Sequence, residues 1–170
     1  MKIDLGTILT GISFLLVCSV PFILLSRSNR KREKQILQRL NGVAQKNNGT
    51  VSKYNTWGNT AIGIDGAANI VFFTKKTGEV EMAEQIMLAE TEKCRVVNTK
   101  RTERNEDGNY TLTDKLELLF EPKDKKKKAT ALPFYHMAYD GAILTGELQQ
   151  SEKWCSIIND NIAAIAQKKQ

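Results

Sequence analysis

The sequence predicts an α+β fold: an N-terminal transmembrane helix, then an antiparallel β-rich domain closed by a C-terminal helix. Three observations predict it. Leu5–Leu25, LGTILTGISFLLVCSVPFILL, runs for 21 residues without a charge. Between Val51 and Ala138 apolar residues recur with a period of two, interrupted by turn signals. From Gly146 to Gln167 the period becomes that of a helix.

At about 1.5 Å per residue, a helix over Leu5–Leu25 reaches roughly 30 Å, the thickness of a bilayer's hydrocarbon core. Its polar residues (Thr7, Thr10, Ser13, Ser19) are small and can bond back to helix carbonyls, and Pro21 lies near the end, where a membrane helix tolerates a kink. Two signal readings fit less well. A cleaved leader has an apolar core of about 7–15 residues followed by a small-x-small site, and a lipoprotein signal at Leu15–Cys18 would need a small residue where Val17 stands. A buried core helix of this length would carry a polar stripe. Gly6/Thr10 and Thr7/Gly11 place small residues four apart, a spacing that lets two spans self-associate.

Lys2 and Asp4 precede the span, whereas SRSNRKREK (Ser26–Lys34) follows it. The positive-inside bias of Arg27, Arg30, Lys31, Arg32 and Lys34 predicts a single-pass protein of the inner or plasma membrane. Its N-terminus lies outside and its C-terminal domain in the cytoplasm. The same five side chains are expected to meet lipid headgroups. In that topology the sequons at Asn48 and Asn109 have no role. The expected division is a transmembrane anchor over 1–26, a basic juxtamembrane segment with an amphipathic helix over 27–49, and a cytoplasmic domain over 50–170.

The chain of 170 residues is 41% apolar and 26% charged, with 3 Pro, so it can bury a core and is not a disordered tail. The net charge of +6 suits contact with an anionic surface. Cys18, Cys94 and Cys155 are odd in number and widely spaced, which argues for a reducing compartment rather than a disulfide framework.

After the span, Ile36, Leu37, Leu40, Val43 and Ala44 mark an amphipathic helix stopped near Gly49. Val51–Thr56 opens the strands. AIGID (Ala61–Asp65) turns at Asp65-Gly66 into NIVFFTK (Asn69–Lys75), and EVEMA follows a turn at Lys76–Gly78. Met87–Arg101 reads as another strand, and NEDGN (Asn105–Asn109) as a hairpin turn. In YTLTDKLELLFE (Tyr110–Glu121) one face carries Tyr110, Leu112, Leu116, Leu118 and Phe120, with Asp114 breaking it. Thr130–Ala138 is a strand whose Pro133 marks an edge. The last helix has a stripe of Leu148, Ser151, Cys155, Ile158, Ile162 and Ile165, with Trp154 beside it.

The hairpin AIGIDGAANIVFFTK, the strand YTLTDKLELLFE and the helix SEKWCSIINDNI together resemble the pleckstrin-homology-like (PH-like) superfamily, in a bacterial-type membrane-anchored variant. The likeness covers about Val51–Gln167. It implies a partly open barrel of about seven strands capped by the last helix, and binding of headgroups, peptides or protein partners rather than catalysis. Asn55–Thr60, where lipid-binding members cluster basic residues, has none.

The second basic run, Lys123, Lys125, Lys126, Lys127 and Lys128, is a solvated loop or a contact for anionic lipid. Neither run is interleaved with aromatics that could stack bases, which argues against nucleic acid. His136 is the single histidine. Cys94 and Cys155 read as small core residues. No Walker loop, dinucleotide fingerprint, nucleophile elbow or zinc-protease motif is present, so no cofactor, metal or catalytic residue is assigned. The expected function is that of a non-enzymatic interaction or scaffold protein with a protein or peptide partner. The alternatives are an anionic-lipid sensor at the inner leaflet, and an enzyme whose groups converge only in three dimensions.

Overall fold

The computed structural model describes residues 30–105 and 108–168. Helix α1 occupies residues 30–46. Four strands follow as successive hairpins: β1 (Lys53–Trp57), β2 (Thr60–Asp65), β3 (Ile70–Thr77) and β4 (Val80–Met87). They form one antiparallel sheet in the order β1-β2-β3-β4. A 3-10 turn at Leu88–Glu90 leads to β5 (Thr91–Asn105), β6 (Gly108–Pro122) and β7 (Thr130–His136), a second antiparallel sheet in chain order. Helix α2 (Met137–Asp140) and helix α3 (Glu147–Gln167) close the chain.

This corrects the expected fold class. The molecule is a β-rich α+β fold of two antiparallel sheets and a C-terminal helix. No helix among the described residues is long and apolar enough to cross a membrane. Leu5–Leu25, on which the transmembrane expectation rested, lies outside the described residues. The seven strands fall into two separately hydrogen-bonded sheets. The chain leaves β4 through the 3-10 turn, with Leu88 buried at its start, instead of through a hairpin. β4 and β7 therefore each end a sheet.

Two apolar layers flank the first sheet. On its inner face Ile62, Ile64, Val71 and Phe73 pack with Leu116, Leu118, Phe120, Leu132 and Phe134 of the second sheet. Trp154, Ile158, Ile162 and Ile165 of α3 complete that core at helical spacing. On the outer face Ile36, Leu40 and Ala44, four residues apart on α1, pack on Ala61 and Phe72. β2 is therefore buried at every position. Burying Leu40 in this way is worth about 2 kcal/mol. Gly63 permits the close approach of α1, since a Cβ there would lie 2.7 Å from Val51 Cγ1 and 3.0 Å from Leu40 Cδ2. The segment 27–49, which the sequence places outside the 50–170 domain, thus contributes α1 to its packing.

Two polar devices fix the ends of these elements. Asp65, at the end of β2, accepts from the Thr50 amide at 2.7 Å and from those of Ala67 and Ala68 at 2.9 and 2.8 Å. These bonds hold its carboxyl below the usual carboxylate range, with Ala68 and Thr50 the largest contributors. Asn159 of α3 protects the edge strand β5. Its side-chain amide accepts from Cys94 N and donates to Cys94 O, both at 2.9 Å, as a neighbouring strand would.

Candidate interaction site

Because β4 and β7 are both terminal strands, a seam opens between them. Two cavities lie along it. The first, about 200 Å³, is lined by Lys75, Val80, Met82, Pro133, His136 and Tyr139, among others. The second, about 170 Å³, lies between Ile86, Met87 and Thr91 on one side and Phe120, Lys128 and Thr130 on the other. The start of β4 therefore adjoins the end of β7, and the end of β4 adjoins the start of β7. Along β4, Val80, Met82, Glu84 and Ile86 share the core-side face, whereas Glu81, Ala83, Gln85 and Met87 share the opposite one. Met82 packs on the main core and Ile86 belongs to it.

A half-buried ion pair borders the first cavity. Lys75 Nζ donates to Asp140 Oδ2 at 2.6 Å, with the lysine only 5% exposed. The same carboxylate oxygen accepts from the His136 amide at 2.8 Å. His136 in turn caps α2, its Nδ1 accepting from the Ala138 amide at 3.1 Å, and its ring packs against Tyr139 with centroids 4.9 Å apart. The lysine is a structural tie between β3 and α2. Trp57 ties the two sheets in the same region, donating its indole N–H to Phe134 O at 3.1 Å and packing on that ring at 4.6 Å. Phe134 lies at a register shift in the β6–β7 pairing, which separates Tyr135 from Pro133.

The two basic runs lie at opposite ends of the first sheet. Arg30, Lys31 and Lys34 are exposed on the first turns of α1, and Arg27 is outside the described residues. Arg32 donates from Nε and Nη2 to Asn59 Oδ1 at 3.2 and 2.9 Å, which places the start of α1 at the β1–β2 turn. In register that turn leads to Lys75 and then to Met82, near the start of β4. The Lys123–Lys128 loop instead packs beside the end of β4. Lys123 Nζ donates to Ala89 O at 2.8 Å, Lys127 pairs with Glu90 at 2.6 Å, and Lys125 pairs with Glu92. These acids raise the pKa of Lys125 and of Lys127. Lys126 and Lys128 are exposed, and Asp124 Oδ1 accepts from the Lys126 amide at 3.0 Å. From Met82 to Met87 is about 17 Å of strand.

Asp114, His136 and Cys94 do not converge. Asp114 is the extra residue of a β6 bulge, between Thr113 and Lys115, which oppose the consecutive Lys100 and Thr99. His136 pairs with Lys115, whereas Cys94 pairs with Phe120. Those two positions on β6 are about 17 Å apart. Burial raises the pKa of the Cys94 thiol, with Cys155 adding to the effect. Cys155 Sγ donates to Cys94 O at 3.3 Å. Among the described residues no cluster of three or more His, Cys, Asp or Glu could hold a metal.

Sequence reasoning missed the seam and the Lys75–Asp140 pair. The one available signal was Lys75 itself, a charge at the end of the apolar run NIVFFT, whose partner lies 65 residues away. No family model, curated protein or solved structure matches this chain.

Proposed function

We propose that this protein is a non-enzymatic interaction module that receives an extended segment of a protein partner in the β4–β7 seam. The observation that carries this reading is the pair of terminal strands flanking an apolar cavity. A strand laid along β4 would satisfy its open backbone groups, and every second side chain would point toward Val80 and Met82. Pro133 leaves β7 one donor short, so β4 is the pairing edge and β7 the wall. The order of four strands, three strands and a helix supports the likeness to PH-like domains, whose members bind ligands more often than they catalyse.

Attachment to the inner or plasma membrane, with the domain in the cytoplasm, is the part of this reading carried by Leu5–Leu25 and the cations after it. Confinement there would raise the effective concentration of the seam toward partners at the same membrane. The pairing of Lys125 and Lys127 with acids counts against the Lys123–Lys128 loop as a lipid sensor.

Peptides selected from a displayed library against the full chain in detergent give the test. Met82→Glu places a charge in the apolar cavity and is expected to weaken the selected peptides by about tenfold or more, a change of about 1.4 kcal/mol. Unchanged affinity in a folded Met82→Glu protein would remove the seam as the site.

A further inference from the structure

The end of the molecule where α1 begins combines cations and exposed apolar side chains. A cavity of about 250 Å³ joins Arg32, Asn59, Tyr139, Asp140, Thr145 and Glu147, so α1, the β1–β2 turn and the α2–α3 loop meet there. The most exposed large apolar residues of the described chain are Ile143 at 79%, Val80 at 69% and Tyr139 at 66%, and all three lie at this end. Tyr139 lines both this cavity and the apolar one that holds Val80. Ile143 falls between Asp140 and Thr145.

The loop that presents Ile143 is pinned on both sides. Gly141 O accepts from the Tyr135 hydroxyl at 2.5 Å. Thr145 donates from N and Oγ1 to the Glu147 carboxylate at 2.6 and 2.9 Å. Gly141 and Gly146 supply the positive φ values, 99° and 123°, at its two ends.

Arg32, which lines the cavity with Tyr139, belongs to the same first turns of α1 as the exposed Arg30, Lys31 and Lys34. α1 cannot swing away freely, because Ile36, Leu40 and Ala44 are buried on the sheet. Upstream, Leu25 lies five residues before Arg30, within about 18 Å of it even if the chain is fully extended. We propose that this end is a membrane-contact face. Ile143 and Tyr139 enter the interfacial layer of an anionic bilayer, while Arg30, Lys31 and Lys34 take lipid phosphates. The Lys123–Lys128 loop, at the other end of β4, then faces away from the lipid. The inference rests on the membrane attachment described above.

The test uses the full chain reconstituted in vesicles of phosphatidylcholine and phosphatidylglycerol, with Ile143→Trp and Lys126→Trp as separate variants at exposed positions. Flotation is read first; a chain that does not float with the vesicles overturns the attachment itself. In floating protein, brominated lipids should quench the fluorescence that Ile143→Trp adds over the parent and spare that of Lys126→Trp. Quenching of both, of neither, or of Lys126→Trp alone overturns the proposed face. A surface reserved for another protein would give the unquenched result at Ile143→Trp.

Discussion

The two basic runs are alike as strings of letters and unlike as surfaces. At the start of α1, Arg30, Lys31 and Lys34 are exposed, and Arg32 binds the neutral side chain of Asn59. Each run holds one acid of its own, Glu33 and Asp124, but in the loop after β6 Glu90 and Glu92 also reach across to Lys127 and Lys125. The partnering acids lie 33 and 37 residues away in the chain, so no window on the sequence shows them. A run of lysines becomes a surface potential only after folding decides which acids come to it. The same difference extends to apolar residues: Ile143, Val80 and Tyr139 are exposed at the first end, and Met87 at the second.

The largest effect should come from breaking the tie that shapes the first end. Asp140→Ala strands the Lys75 ammonium in a site only 5% exposed, and should lower unfolding stability by about 3 kcal/mol in chemical denaturation. Lys75→Met should cost less, because it puts an apolar chain against the apolar cavity and leaves Asp140 partly in water. Equal losses would show that the pair matters through its own attraction rather than through the buried charge left behind.

Next in size is the carboxylate at the second end. Asp65→Asn removes the acceptor for the Thr50 amide and should cost about 2 kcal/mol at neutral pH. The pKa of Asp65 is lower in the folded protein than its ordinary value of 3.8. Its contribution is therefore complete above that unfolded value, and is lost as the pH falls through the folded one. Denaturation midpoints measured from neutral pH down to acid should converge for parent and Asp65→Asn below this window. A constant gap down to the lowest pH would mean that shape, and not charge, carries the effect.

The smallest effect is expected in the lysine loop. Lys125→Gln and Lys127→Gln remove exposed ion pairs, which seldom contribute measurably. Neither should shift the thermal midpoint or the binding of the full chain to vesicles. Charge removal at Arg30, Lys31 and Lys34 together should reduce quenching of Ile143→Trp by brominated lipid. A larger response from the loop than from α1 would reverse the comparison.

Several of these features were legible in the sequence because they depend on local periods. The four-residue spacing of Ile36, Leu40 and Ala44, the turn signal at Asp65-Gly66 and the stripe from Ser151 to Ile165 each repeat within one element. Other features depend on what packs from elsewhere. Ala61 and Phe72 look like the outward residues of an alternating strand, and only the docking of α1 buries them. Met87–Glu90 continues a strand-like pattern, yet Leu88 is drawn inward through a 3-10 turn. Asp114 interrupts an apolar face because β6 carries a bulge there, which is set by register with β5. Trp154, read as lying beside the α3 stripe, is fully buried in the main core. The seam was invisible for a related reason: it consists of backbone edges, and edges are defined by the strands that are not beside them.

The most direct measurement of the proposed function is amide hydrogen exchange along the full chain, with and without a library-selected peptide. Added protection should concentrate on β4, from Val80 to Met87, and leave the paired segments Lys100–Arg104 and Asn109–Thr113 of the β5–β6 hairpin unchanged. Protection on that hairpin or on α3, with β4 exchanging as before, would contradict it.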